Sequence, residues 1–417
     1  MTISSARRTL ATVLAGFAVA AVALTGVAPA TAASVPPTPV VGAPASTGAY
    51  YVHNGALYLS GVAEGEIYST LFSFDGSTFT QVPGSPIGPG EFHTLGDDLI
   101  FEAIVDINAL PSYSYGLFTY DGTNITQVPG AFTTPNDFVS VGSVAYFQAT
   151  VADQVQLWQY DGTTASPVAG GAVEPRYLST YNDKVYFEGD TDPSAGEART
   201  LFSYDPANPG TPAAPVAGAP VGASQLVAYD GLAYFGAEGA LYAFDGAATF
   251  APVNIDPATS ASALTVFDGA IYFSGGTSGF GNVFAYKAGA TTAVPGAVTE
   301  TLSYVEYNGK LYYLGFANDE PLMNVISAGE VSVVAGSPEY TFNMTVFQGK
   351  LYFTGDTADE SNIMFVLETD PPAPAPTPGT APVLAATGVD LGMPGLAALG
   401  LLLVGAATVV VVRARRA

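Results

Sequence analysis

An aromatic run recurs eight times along the chain at a nearly constant interval, and few architectures tolerate such a period. The copies read Leu57-Tyr58-Leu59, Leu99-Ile100-Phe101, Ala145-Tyr146-Phe147, Val185-Tyr186-Phe187, Ala233-Tyr234-Phe235, Ile271-Tyr272-Phe273, Leu311-Tyr312-Tyr313 and Leu351-Tyr352-Phe353. From Tyr58 to Tyr352 there are seven intervals averaging 42 residues. A turn dipeptide precedes each run: Asn54-Gly55, Gly96-Asp97, Gly142-Ser143, Asn182-Asp183, Asp230-Gly231, Asp268-Gly269, Asn308-Gly309 and Gln348-Gly349. Two apolar runs around a dipeptide that accepts positive φ make a β-hairpin. A second hairpin follows in most copies, so each unit holds four antiparallel strands. Blades of this kind, repeated at this period, predict an all-β, eight-bladed β-propeller.

The third strand and its turn recur as Leu71-Phe72-Ser73-Phe74-Asp75-Gly76, Leu117 to Gly122, Leu157-Trp158-Gln159-Tyr160-Asp161-Gly162, Leu201 to Pro206 and Leu241 to Gly246. The fourth ends in Val-Pro-Gly or Val-Ala-Gly, as at Val82-Pro83-Gly84 and Val216-Ala217-Gly218. Proline is tolerated at a sheet edge, which makes this the outer strand. The eighth copy lacks one, whereas Val40-Val41-Gly42-Ala43-Pro44 matches Val216-Ala217-Gly218-Ala219-Pro220. The N-terminal segment is therefore expected to supply the last blade's outer strand and close the ring, burying part of Val40 and Val41.

Composition sets the chemistry. Cysteine is absent, which excludes disulfides, thiolate metal sites and a cysteine nucleophile. The formal net charge is −25, and the body is more acidic still, because Arg7, Arg8, Arg413, Arg415 and Arg416 lie near the termini. Such a field repels nucleic acid and anionic lipid, so no nucleic-acid partner is expected.

Both ends read as addresses. Residues 1–32 have a basic start, an apolar run and Ala30-Thr31-Ala32, the pattern of a signal peptide. Residues 33–370 are the propeller. Residues 371–383 form a Pro-rich linker that favours extended polyproline II. Within 384–417, Leu384-Ala385-Ala386-Thr387-Gly388 precedes an apolar segment from Leu391 to Val412 and a tail containing Arg413, Arg415 and Arg416. That segment is long enough for a transmembrane helix, and the arginines would hold its end in the cytoplasm.

The order of pentapeptide, apolar span and basic tail resembles a Gram-positive cell-wall sorting signal. Ala385, where proline is usual, looks like the Leu-Ala-x-Thr-Gly form associated with class E sortases of actinobacteria. The resemblance implies that a sortase cuts after Thr387 and joins the chain to a cell-wall peptide, with the membrane held through the C-terminal segment before sorting. It places the body outside the cell. The third-strand motif resembles the bacterial repeat family with the signature Glu-Leu-Trp-x-x-Asp-Gly-Thr, nearest at Leu157 to Thr163, although Gln156 stands where that family has Glu. This second resemblance implies a surface protein with repeats and no single activity.

The residues offer little catalytic chemistry. The Asp-Gly pairs between third and fourth strands are expected to be turns. Trp158, His53 and His93 occupy slots that other copies fill with core or strand residues. First strands, which line the axis of such a ring, carry Glu306 as their single acid in this reading. The acids gather instead in loops joining second and third strands, and those loops vary in length. Variable loops on a rigid scaffold favour binding there, with Tyr113, Tyr115, Asp190 and Asp192 as first ligand candidates. Asp190, Asp192 and Glu197 have oxygen ligands at calcium-like spacing, although the remaining ligands of a recognised loop are missing. Calcium is the only cofactor in view. The reading is a non-catalytic, wall-anchored display or adhesion-type protein with an unknown extracellular ligand; the alternative is a surface carbohydrate-active hydrolase or lyase with its site over the channel.

Overall fold

A computed structural model describes residues 35–107, 114–170, 173–190, 199–247, 249–256, 258, 260–276, 282–296, 303–317 and 320–368. All of them belong to one compact unit, Met1–Thr369; a second unit, Asp370–Ala417, holds none of them. The expected leader, linker, sorting pentapeptide and apolar span therefore lie outside the described residues. Among those described, no helix is long and apolar enough to cross a membrane.

The described strands form eight four-stranded antiparallel sheets, each a blade. In chain order the blades span 45–81, 87–127, 133–167, 173–215, 227–253, 262–293, 304–333 and 339–367. The last takes its fourth strand from Thr38–Pro39, which pairs with Ile363–Leu367. Val40 N donates to Met364 O at 2.9 Å, the same bond that Val82 N makes to Leu71 O and Val168 N to Leu157 O. The outer edge of the eighth blade thus has the same local geometry as its neighbours. Val41, by contrast, is 95% exposed, because it lies past the strand's end in the turn closed by Ala43 N to Val40 O.

Eight apolar clusters fill the wedges between consecutive blades. Tyr58 and Leu71 of blade 1 meet Leu99 and Phe101 of blade 2. The series continues around the ring to Met364 and Tyr352 of blade 8 against Leu57 and Phe74 of blade 1. This explains the recurrent aromatic run. In a second strand, odd and even side chains face opposite neighbours, so both faces must be apolar.

Turn chemistry follows the dipeptides. Asn54-Gly55, Asp230-Gly231, Asp268-Gly269 and Asn308-Gly309 have positive φ at both residues, as a type I′ turn requires. At Gly96-Asp97 and Gly142-Ser143 only the glycine is positive, which is the type II′ pattern. The Asp residues between third and outer strands cap their own turns: Asp75 Oδ1 accepts the backbone N–H of Ser77 and Thr78, and Asp161 Oδ1 those of Thr163 and Thr164. These bonds hold both carboxyls below the usual range.

Candidate functional site

Strand direction divides the ring into two rims. The turns between first and second strands and between third and outer strands lie on one, the turn rim. The loops between second and third strands, with the connections from blade to blade, lie on the other, the loop rim. Five first strands are nine residues long: Ala45–His53, Ile87–Leu95, Thr133–Val141, Val173–Tyr181 and Glu339–Phe347. Each carries two register shifts against its second strand. The extra residues take positive φ in pairs three apart, as at Thr134 and Asp137 or Glu174 and Tyr177. Bulges of this kind re-aim side chains. They also break the alternation by which a strand is read from sequence, so the inner strands extend further than the aromatic pattern suggests.

This corrects the expectation that Glu306 is the single acid on the first strands. Glu91, Asp137, Glu174 and Glu339 lie on them too, together with Arg176. Three of these gather in blades 2 to 4. Glu102, on the second strand of blade 2 opposite Gly90, has its carboxyl pushed up to about 7 by burial, with the charge of Glu91 adding to the effect. Asp137 is also raised, chiefly by burial and further by Glu91. Its Oδ2 accepts the N–H of Leu178 at 2.9 Å and so ties blade 3 to blade 4. His93 stacks on Phe138 and pairs Nε2 with Ser140 Oγ at 2.7 Å; burial lowers its pKa. Chemically this is a group of carboxyls, one of which burial holds protonated toward neutrality.

Blade 4 adds a mixed-charge group beside it. Glu174 is paired with Arg199 and lies 3.6 Å from Arg176, while Arg199 Nη1 also donates to Glu174 O at 2.9 Å. Arg176 faces Glu188 in the register. Burial raises the Glu188 carboxyl, and the charges of Arg199 and Arg176 oppose that rise. Glu188 and Asp190 are not solvated loop residues. Both belong to the strand Lys184–Asp190 and are buried, Asp190 opposite Val173.

Of the ligand candidates read from the sequence, Tyr115 lies within the strand Ser114–Tyr120, half-buried opposite Ile104. Tyr113, Asp192 and Glu197 lie outside the described residues, as do Leu384, Ala385, Ala386, Thr387 and Gly388. Among the described residues no group of three His, Asp or Glu side chains could hold a metal ion. The two histidines and the tryptophan are structural in their contacts. His53 is buried, with Nδ1 at 3.0 Å from Thr94 Oγ1 and Nε2 at 3.1 Å from Asp97 O in the next blade's turn. Tyr229 and Tyr307 fill the same slot and donate to Gly269 O and Gly349 O. Trp158 is buried against Phe132.

No protein-family model matches the sequence, and no curated protein matches it. Solved structures resemble the fold. The β-propeller domain of the Trilobed protease from Pyrococcus furiosus aligns at 14% identity and TM-score 0.46, over 69% of this chain and 99% of that one. A Pyrococcus horikoshii acylaminoacyl peptidase aligns at 10% identity and TM-score 0.45, over 76% of this chain and 58% of that one. A structure described in a study of two prolyl endopeptidases aligns at 11% identity and TM-score 0.47, over 78% of this chain and 54% of that one. At these identities and scores the likenesses speak to neither substrate nor chemistry.

Proposed function

We propose that the chain is a surface-displayed, non-catalytic binding protein whose ligand is taken at the loop rim around blades 2 to 4. The observation that supports this most is strand direction. The last described strand, Ile363–Leu367, is a third strand and runs toward the turn rim, so Glu368 leaves the ring there. That leaves the loop rim clear of the chain's exit; Glu174 and Arg176 lie in the half of their strand nearer that rim, with Glu91 and Asp137 at mid-strand in the neighbouring blades. In this proposal residues 1–32 are removed on export, the N-terminal strand closes the ring, and a sortase joins Thr387 to a cell-wall peptide. The carboxyl-rich group favours a ligand that presents amines, which wall peptides carry. Calcium is a candidate bridge only through residues 190, 192 and 197.

An array of wall fragments and amine-bearing peptides, probed with the purified protein, tests the reading. Glu91→Gln and Tyr115→Ala are expected to weaken the strongest interaction about tenfold, ~1.4 kcal/mol. If no wall fragment or peptide is retained, or if a change of Asn308 on the turn rim matters more, the assignment fails. Mass spectrometry of wall-released protein is expected to find a C-terminus at Thr387; a chain intact to Ala417 would overturn the anchoring.

One observation favours a second reading, a hydrolase or lyase. Burial pushes the Glu102 carboxyl up to about 7, and a carboxyl held protonated toward neutrality can act as a general acid. On that reading, turnover of a polysaccharide over the propeller channel falls as pH rises through about 7 and is lost in Glu102→Gln. Absence of turnover on a polysaccharide panel leaves the binding reading.

A further inference from the structure

The wedge between blades 3 and 4 opens at the turn rim into a cleft of about 330 Å³. One wall is a row set side by side by strand register: Tyr146 on the second strand, Gln159 beside it on the third and Ser166 on the outer strand. Gln159 Nε2 donates to Ser166 Oγ at 3.2 Å. The corresponding row is Tyr58, Ser73 and Thr80 in blade 1 and Tyr234, Ala243 and Ala251 in blade 5. Blade 3 thus places a long amide where these blades place a short side chain.

The facing wall is equally particular to this wedge. The connection between third and outer strands occupies 205–213 in blade 4 but 161–164 in blade 3. It carries Pro206 and Pro209 into the cleft. Its backbone is pinned by Asn208 N to Asp205 O at 3.0 Å, Thr211 N to Asn208 O at 2.8 Å and Ala213 N to Ala169 O at 3.1 Å. Proline and internal bonds together make a wall that is rigid before any ligand arrives.

At the floor sit Tyr146 and Tyr204, each 2% exposed, with ring centroids 5.7 Å apart. Both line the cleft, and among the described residues neither hydroxyl has a hydrogen-bond partner. At the next wedge the equivalent Tyr186 does have one, Gly246 O at 3.3 Å. Neither hydroxyl is sealed from solvent, so both open into the cleft, where an acceptor from outside the chain can take the place of water. Burial raises both phenols, Tyr146 to about 12, which keeps them protonated as donors. Acceptors are also present: the Gln159 carbonyl, and Asp161 Oδ2, since the capping bonds use Oδ1.

We propose that this cleft is a second binding site, taking one or two neutral hexose units of a glycan. Hexoses carry adjacent hydroxyls that each donate and accept, which matches phenol donors beside amide and carboxylate acceptors. Their C–H faces suit Pro206 and Pro209. Uronic acids and phosphorylated polymers are disfavoured by Asp161 and by the chain's net charge of −25. The site is on the opposite rim from the one proposed above and stands independently of it.

Saturation-transfer NMR and titration of the purified protein with maltose, cellobiose, mannobiose and glucuronic acid test the assignment. At least one neutral disaccharide is expected to bind with a millimolar or tighter Kd, and glucuronic acid is expected to bind less well. Gln159→Ala and Tyr204→Phe should each weaken that binding about tenfold, ~1.4 kcal/mol. Tyr120→Phe, in the corresponding slot of blade 2, should leave it unchanged, and melting curves report whether each variant is folded. Gln159→Ala is half-exposed in strand and is the variant that keeps its fold if Tyr204→Phe does not. No response to any neutral disaccharide at about 20 mM, or unchanged binding in folded Gln159→Ala, overturns the proposal.

Discussion

Glu102 shows how a single residue records its surroundings. A carboxyl whose pKa is higher folded than unfolded binds its proton more tightly in the native state. The contribution of Glu102 to native stability is therefore greatest below about 4.5, the unfolded value, and declines as pH rises toward about 7. The full shift would be worth a few kcal/mol, but partial solvent exposure reduces it to about 1–2 kcal/mol. Glu102→Gln is expected to raise stability by that amount at pH 8 and to leave it nearly unchanged at pH 4, read from urea midpoints at the two pH values. Equal effects at both would show that Glu102 is not held protonated. None of this was legible at Glu102 itself, because its pairing with Gly90 and its approach to Glu91 depend on a bulge.

Single strands show the same division. Second strands were legible from their aromatic runs, since burial on both faces leaves no polar alternation to confuse the pattern. Five of the first strands were not, because two bulges in each put residues at positive φ inside the strand. The close packing of connections against second strands was also invisible. Gly236 is an example: a Cβ there would lie 2.0 Å from Ala261 O in the connection that leads into the next blade. That contact is with backbone, which cannot rotate aside. Gly236→Ala is therefore expected to cost about 2–3 kcal/mol by overpacking, measured by chemical denaturation. A loss below 0.5 kcal/mol, roughly the level of a neutral surface change, would mean that blades 5 and 6 separate readily at this point.

For the whole molecule, the eight wedges form a continuous series, and the eighth blade depends on residues from the other end of the chain. Removing residues 38–44 takes away the pairs Thr38↔Val366 and Pro39↔Phe365, the bond from Val40 N to Met364 O, and the packing of Val40 and Ala43. The strand is two residues long, Pro39 has no N–H to give, and Val41 is exposed. A loss of about 2–4 kcal/mol is expected, seen as a lower melting temperature with a single transition. An unchanged melting temperature would show that the first and last blades hold together without this strand.

What the sequence determined by itself was periodicity: eight units, their turn dipeptides, the apolar second strands and the match between Val40 and Val216. These are local properties, fixed by φ preferences and by which faces of a strand are buried. The group of carboxyls on blades 2 and 3 and the cleft between blades 3 and 4 were decided only by tertiary structure. Glu91, Glu102 and Asp137 are separated in sequence and meet through bulges and blade-to-blade packing. Gln159 and Pro209 share a cleft because register aligns one wall and a longer connection builds the other. Repeats announce the scaffold because every unit must pack the same way, whereas a site arises where units differ, and the meaning of a difference depends on what stands across the wedge.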